Sequence, residues 1–196
     1  MTYIISKADI EIDWDTIPKL QIDNVLWLED TGIRAYGQIC YNEEKLFVHL
    51  SAGERTIRAE YTKPLSPVHE DSCLEFFFKL NGTENYFNFE INPNGCPCIQ
   101  FGPDRSLRLD LVKRNYDVFF DIRTNRTVDG WEVFYQIPLS FFRLFYPEYR
   151  FSGDLWVNLY KCGDRTLTPH FLSWAPINLP KPDFHCPAFF RKIEFE

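Results

Sequence analysis

The chain alternates apolar and polar residues over many short runs. The clearest run is DSCLEFFFKLNGTENYFNFEINPNG at residues 71–95. Side chains of a strand point alternately to its two faces. One face of this run therefore carries Leu74, Phe76, Phe78, Leu80, Phe87, Phe89 and Ile91. An Asn-Gly pair at 81–82 is typical of a hairpin turn, so the run predicts two antiparallel strands with this apolar set in the core.

Similar runs bounded by turn residues recur along the chain. They predict strands at 9–12, 33–40, 45–51, 56–61, 72–80, 86–92, 97–101, 117–123, 131–137, 155–161 and 190–195. A second hairpin is predicted to join 118–123 to 131–137, and a short helical turn is predicted at 138–145. Many short strands with minimal helix indicate an all-β fold, and we predict an antiparallel β-sandwich of jelly-roll or immunoglobulin-like type.

Length and composition set the scale of this fold. The 196 residues are 45% hydrophobic and 17% aromatic, which is enough to bury a sizeable core. The proline-rich stretch PINLPKPDFHCP at 176–187 is too short to link two domains and is predicted to wrap around the fold before a last strand. No internal repeat divides the chain, so residues 1–196 are predicted to form a single domain.

Charge and targeting signals exclude several partners. The net charge of −7 and the lack of a basic run argue against nucleic acid, and no apolar run is long enough to span a membrane. The first residues, MTYIISKADIEIDW, do not resemble a signal peptide. This predicts a cytoplasmic protein as written, or an extracellular or periplasmic one if the natural chain begins earlier. The six scattered cysteines are interpreted as reduced thiols, and no signal specifies an oligomeric state.

The second face of the 71–95 hairpin is unusually polar. If Phe76 lies opposite Phe89, then Glu75 lies directly across from Glu90, with Asn88 beside them. Like charges directly opposed on antiparallel strands are destabilising. The pair therefore needs an arginine, a cation, a shared proton or a hydroxyl-rich ligand to relieve the repulsion. The arginines nearest in sequence are Arg105, Arg108 and Arg123.

Two further segments add to this polar face. In LWVNLY at 155–160, the alternation places Asn158 on the face opposite the apolar set, and Trp174 precedes a proline in HFLSWAP. Sugar hydroxyls donate to carboxylates and accept from amides, and the apolar face of a sugar ring stacks on an indole. The sequence therefore predicts a sugar-binding face, whereas Trp27 and Trp131 are expected in the core.

Six motifs occur in order along residues 30–196: DSCLEFF, YFNFEINPNG, GWEVFYQIP, LWVNLYKCG, HFLSWAPI and PDFHCPAFFRKIEFE. In this order they resemble the family 9 carbohydrate-binding modules, most closely their stand-alone bacterial branch. The resemblance implies a β-sandwich related to DOMON-like domains that binds sugars without catalysis. Its relatives hold the reducing end of a glucan or xylan between two tryptophans, and some carry structural calcium.

By position, the resemblance implies that Glu75, Asn88, Glu90 and Asn158 are sugar-binding polar groups and that Trp174 is one aromatic wall. The other wall is expected just before DSCLEFF, where this chain has His69 rather than tryptophan. The saccharide is the expected partner and no cofactor is required, with structural calcium as an open alternative.

Other functions remain as alternatives. The first is a protein-interaction or dimerisation module on the same fold. A glycoside hydrolase using Glu75 and Glu90 is disfavoured because a flat hairpin face does little to bury an acid. Haem binding is disfavoured because the only methionine is Met1 and no CxxCH occurs. Calcium would draw on Asp71, Glu75, Glu90, Asp104 and Asp110.

Overall fold

The computed structural model describes residues 2–8, 11–112 and 115–196. Within them, two short α-helices, α1 (Tyr116–Phe120) and α2 (Leu139–Arg143), and two 3-10 turns, Val68–Glu70 and Pro187–Phe189, accompany fourteen strands. The strands are β1 (Tyr3–Lys7), β2 (Leu20–Ile22), β3 (Asn24–Val25), β4 (Arg34–Tyr41), β5 (Lys45–Gly53), β6 (Cys73–Leu80), β7 (Tyr86–Ile91), β8 (Pro97–Gly102), β9 (Leu109–Asp110), β10 (Arg123–Arg126), β11 (Gly130–Pro138), β12 (Asp154–Cys162), β13 (Phe171–Ser173) and β14 (Arg191–Phe195). The prediction of a mostly β fold is confirmed.

The strands follow one hydrogen-bonded path in the order β10-β11-β5-β4-β1-β14-β12-β6-β7-β8-β9. Strand β2 pairs with β4, while β13 and β3 extend from β12. Strand β1 runs parallel to both β4 and β14, and the other pairings are antiparallel. The sheet is therefore mixed rather than wholly antiparallel, because its two halves meet at β1.

The two halves of the sheet pack against each other across the main core. A Cβ on Gly37 of β4 would collide with Leu159 of β12 in the opposite half. Phe89 of β7 stacks on Tyr135 of β11 with ring centroids 5.8 Å apart. The apolar set predicted from residues 71–95 is buried in this core. Burying it provides the main driving force for closing one half of the sheet over the other.

The β6–β7 hairpin has the predicted register. Phe76 pairs with Phe89, and Glu75 pairs with Glu90. The turn uses Gly82 at φ +76°, a left-handed conformation that glycine adopts without strain. Alternation along the chain was sufficient to predict this register because one face of the hairpin is entirely apolar.

Three predicted strands differ from the structure. Residues 116–120 form α1, so the second hairpin is made by β10 and β11 instead of 118–123 and 131–137. Residues 56–61 form no strand, because the backbone N–H groups of Glu60 and Tyr61 donate to the Asp71 carboxylate at 2.9 Å. Of the strand predicted at 9–12, residues 9–10 lie outside the described residues and 11–12 are not in a strand.

The proline-rich residues 176–187, hereafter the covering segment, run across the outer face of β6 and β12. Phe184 stacks on Tyr160 with centroids 4.1 Å apart, and the Tyr160 hydroxyl donates to the Phe184 carbonyl at 3.2 Å. Phe77, Tyr86 and Tyr160 consequently form a second, smaller apolar cluster on the outer face. The expectation that this face of the hairpin is flat and does little to bury an acid is therefore wrong, because the covering segment lies over it.

Candidate functional site

A small cavity of about 90 Å³ lies between the outer face of the β6–β7 hairpin and the covering segment. Its aromatic lining comes from Trp27, Phe77, Phe171 and Phe184. Its ionisable lining comes from His69, Glu75, Glu90, Arg105, Cys162, Asp164, Asp183 and His185. The cavity therefore combines flat apolar walls with convergent hydrogen-bonding groups, which is the usual composition of a small-molecule site.

Glu75 and Glu90 form a buried carboxyl pair at the floor of this cavity, and they are 2% and 6% exposed. Burial, the neighbouring Cys162 thiol and Glu90 raise the pKa of Glu75 well above its ordinary value. Burial also raises the pKa of Glu90, against the opposing effects of His69, Asn88 and Arg108. Desolvation disfavours the ionised form of each carboxyl, which shifts the pair toward protonation and so eases its repulsion.

Arg108 reaches the pair through an amide. The guanidinium donates to Oδ1 of Asn88, and Nδ2 of Asn88 donates to Oε1 of Glu90 at 2.8 Å. The same guanidinium lies 4.2 Å from the ring centroid of Tyr86 and donates to the Gly102 carbonyl at 2.8 Å. Of the three arginines considered from the sequence, Arg108 thus supports Glu90 indirectly. Arg105 lines the cavity, whereas Arg123 pairs with Asp121 elsewhere.

The covering segment is held down by polar contacts as well as by Phe184. The Tyr86 hydroxyl lies 2.8 Å from Nδ1 of His185. Nε1 of Trp27 donates to the Leu179 carbonyl at 2.7 Å. Burial, with help from Arg108 and Arg105, lowers the pKa of His185 to about 4. His185 is therefore a neutral hydrogen-bonding group near pH 7.

Comparison with known proteins decides the family. The model of carbohydrate-binding family 9 matches residues 6–195. The chain belongs to carbohydrate-binding family 9. No curated protein matches this family 9 chain.

Solved structures agree with the family 9 assignment. A protein from Bacteroides uniformis ATCC 8492, assigned provisionally to carbohydrate binding, is 29% identical, with a TM-score of 0.84 over 100% of this chain and 97% of that one. A family 9 module from Caldicellulosiruptor kristjanssonii in complex with glucose is 12% identical, with a TM-score of 0.68 and coverage of 98% and 94%. The module from that organism in complex with cellotriose is 12% identical, with a TM-score of 0.69 and coverage of 99% and 93%. At 12% identity the likeness to these two structures establishes the fold.

The structure brings together three of the six residues predicted for the family 9 site. Glu75, Glu90 and His69 line the cavity. Asn88 lies behind Glu90, and both ends of its amide are used by Arg108 and Glu90. It therefore supports the cavity without lining it.

The other two predicted residues lie apart from the cavity. Nδ2 of Asn158 donates to the Ala175 carbonyl at 3.0 Å, and Oδ1 accepts from the Ala175 N–H at 2.8 Å. Ser173 pairs with Tyr160, so Trp174 projects to the opposite face of the sheet and packs against the main core. Its ring lies 6.0 Å from the Arg191 guanidinium.

Trp27 is the tryptophan at the cavity, which corrects its expected place in the core. It is half-buried and has φ +58°, a left-handed backbone that turns the indole toward Phe171 and Phe184. Trp131, by contrast, is fully buried as predicted. A tryptophan in an irregular segment has no alternation to orient it, so the sequence offered no signal for Trp27.

The carboxylates considered for calcium are dispersed. Asp71 is buried and accepts from backbone N–H groups, while Asp104 accepts from Ser106 and Leu107 within its own loop. Asp110 accepts from Gln100 at 2.8 Å. Glu75 and Glu90 alone provide fewer oxygens than the six to eight that calcium takes, so these residues do not fit a calcium site.

Within the described residues, no helix is long and apolar enough to cross a membrane.

Proposed function

We propose that this chain binds a saccharide of the glucan or xylan type without catalysis, in the cavity beneath the covering segment. Glu75, Glu90 and His69 supply hydrogen bonds, and Trp27 supplies an apolar wall. The observation that carries the proposal is the buried carboxyl pair facing an aromatic wall in one cavity. A protonated carboxyl both donates and accepts, which matches the two hydrogen-bonding roles of a sugar hydroxyl.

The same carboxyl pair argues for binding rather than hydrolysis. A retaining glycosidase needs one ionised nucleophile and one protonated acid, held in environments that push their pKa values apart. Here burial raises the pKa of both Glu75 and Glu90. The interaction-module alternative is also disfavoured at this face, because the covering segment already occupies it and the carboxyl pair lies at its centre.

The proposal includes the arrangement of the fold. We infer that residues 1–196 form one domain and that the two halves of the sheet correspond to the two layers of a β-sandwich. The core shared by β4, β7, β11 and β12 supports this arrangement. Glucose and cellotriose are the ligands in the solved family 9 complexes, and they suggest which sugars to test first.

Isothermal titration with glucose, cellobiose, xylobiose and xylan tests the proposal. The wild type should bind at least one of them. Trp27→Ala should weaken binding about tenfold or more, equivalent to about 1.4 kcal/mol, and Trp174→Ala should leave it unchanged. Circular dichroism confirms that each variant is folded. Loss of binding in Trp174→Ala but not in Trp27→Ala would instead place the site around Trp174, outside the cavity, and no heat with any sugar would reject saccharide binding.

A further inference from the structure

Two thiols and a carboxyl converge beside the cavity. Cys73 of β6 pairs directly with Cys162 of β12, and Glu75 lies two residues along β6 on the same face. One donor atom from each of the three residues lies within 4.8 Å of the other two, and Cys162 Sγ is 3.0 Å from Oε1 of Glu75. All three side chains are buried, being at most 2% exposed.

We propose that Cys73, Cys162 and Glu75 form a binding site for a thiophilic divalent cation of the zinc class. Zinc binds sulfur at about 2.3 Å and carboxylate oxygen at about 2.0–2.2 Å in a tetrahedron. These bond lengths separate neighbouring ligand atoms by roughly 3.5–3.8 Å. The donor atoms of the cluster lie no more than 4.8 Å from one another, which exceeds this separation by about 1 Å at most. Small side-chain rotations are therefore sufficient to form the site. Two sulfur donors select zinc-like over calcium-like cations.

Loading the site would release protons. A thiolate and a carboxylate are the forms of cysteine and glutamate that bind a metal, so a cation held by Cys73, Cys162 and Glu75 displaces the protons of these groups. Because the three side chains are buried together, the bound divalent cation also provides the positive charge that their ionised forms need.

The cavity provides the route to the site and its open position. Glu75 and Cys162 line the cavity, whereas Cys73 lies behind them with a thiol contact of 3.9 Å to the Leu74 carbonyl. A cation held by these three ligands would therefore leave its fourth position directed at the cavity. Water or a ligand oxygen fits that position.

Titration of the reduced protein with Cd²⁺ tests this site by the ultraviolet charge-transfer absorption of cadmium thiolates. We expect the band to saturate at one equivalent, with protons released into a weakly buffered indicator solution. Cys73→Ala and Cys162→Ala should each lose the saturating band. Cys40→Ala, which removes an equally buried thiol from β4 in the other half of the sheet, should retain it.

Glu75→Gln provides a test that preserves side-chain volume if a cysteine variant does not fold, and it should weaken Cd²⁺ binding at least about tenfold. The proposal is overturned if the wild type gives no band at one equivalent, or if Cys73→Ala and Cys162→Ala keep the full band. It is equally overturned if Cys40→Ala loses the band to the same extent. The readout needs no sugar, so its failure is separate from any failure of saccharide binding.

Discussion

At the scale of single residues, Glu75 is the carboxyl whose burial most strongly opposes its ionisation. It faces Glu90 across the hairpin, contacts the Cys162 thiol and has almost no exposure to water. The raised pKa of Glu75 favours its neutral form, which eases this conflict, and Arg108 supports Glu90 through Asn88. A carboxyl with this environment costs stability whenever it must ionise, and its pKa makes that cost depend on pH.

Glu75→Gln should therefore stabilise the protein more at high pH than at low pH. The folded-state pKa of Glu75 is raised from 4.5, so the folded state binds more protons than the unfolded state above that pH. The contribution of Glu75 to wild-type stability is fully present below about pH 4.5 and falls by about 1.4 kcal/mol per pH unit as pH rises toward the folded pKa. Urea denaturation of both proteins from pH 5 to pH 8 measures the effect. A constant difference in unfolding free energy across that range would contradict it.

At the scale of elements, Asp71 organises a segment that forms no strand. Its Oδ2 accepts from the N–H groups of Glu60 and Tyr61 and from Nδ2 of Asn92, each at 2.9 Å. Residues 56–61 thus obtain their hydrogen bonds from a side chain instead of a neighbouring strand. The buried carboxylate also lies 3.5 Å from the Arg58 guanidinium.

Asp71→Ala should release this segment. It leaves two backbone N–H groups without their acceptor, at a cost of about 1–3 kcal/mol each where they stay buried. Hydrogen exchange should become faster at residues 60 and 61 than in the β6–β7 hairpin. Asp110→Ala removes an exposed carboxylate on β9 and should leave exchange at these residues unchanged. Uniformly faster exchange across the protein would mean global destabilisation rather than local release.

The sequence was sufficient to predict the β6–β7 hairpin but not the structure of residues 56–61 or the position of Trp174. Strict alternation with one wholly apolar face predicts both strand and register, as in β6 and β7. Residues 56–61 also alternate, but their pairing depends on a carboxylate ten residues away. Trp174 was assigned to the sugar-binding face without knowing that Ser173, not Trp174, shares a face with Tyr160. The alternation of apolar and polar residues does not specify the register between β12 and β13.

At the scale of the whole molecule, β1 joins the two halves of the sheet. It pairs with β14 through residues 3–5 and with β4 through residues 6–7, both in parallel. Ile5 points into the shared core and is fully buried, whereas the adjacent Ile4 is 43% exposed. A five-residue strand therefore joins the two halves of the sheet by hydrogen bonds, in addition to the core packing between them.

Ile5→Ala should destabilise the entire fold, by about 2–5 kcal/mol, because it leaves a cavity where both halves meet. Ile4→Ala deletes the same atoms from the exposed face and should cost far less. Thermal unfolding followed by tryptophan fluorescence and by far-ultraviolet circular dichroism measures both variants. Coincident transitions are expected if the two halves unfold as one domain, and separate transitions in Ile5→Ala would show that they do not.

The covering segment has a consequence for the kinetics of binding. A cavity of about 90 Å³ is smaller than the roughly 300–1,000 Å³ of typical small-molecule sites, so a sugar ring enters only after the segment moves. The contacts of Phe184 and His185 must break first. The observed association rate then stops rising with sugar concentration once opening becomes the slow step. The apparent affinity is the intrinsic affinity multiplied by the fraction of time that the segment is open, so weakening only those contacts of the segment that the bound sugar does not use would tighten binding.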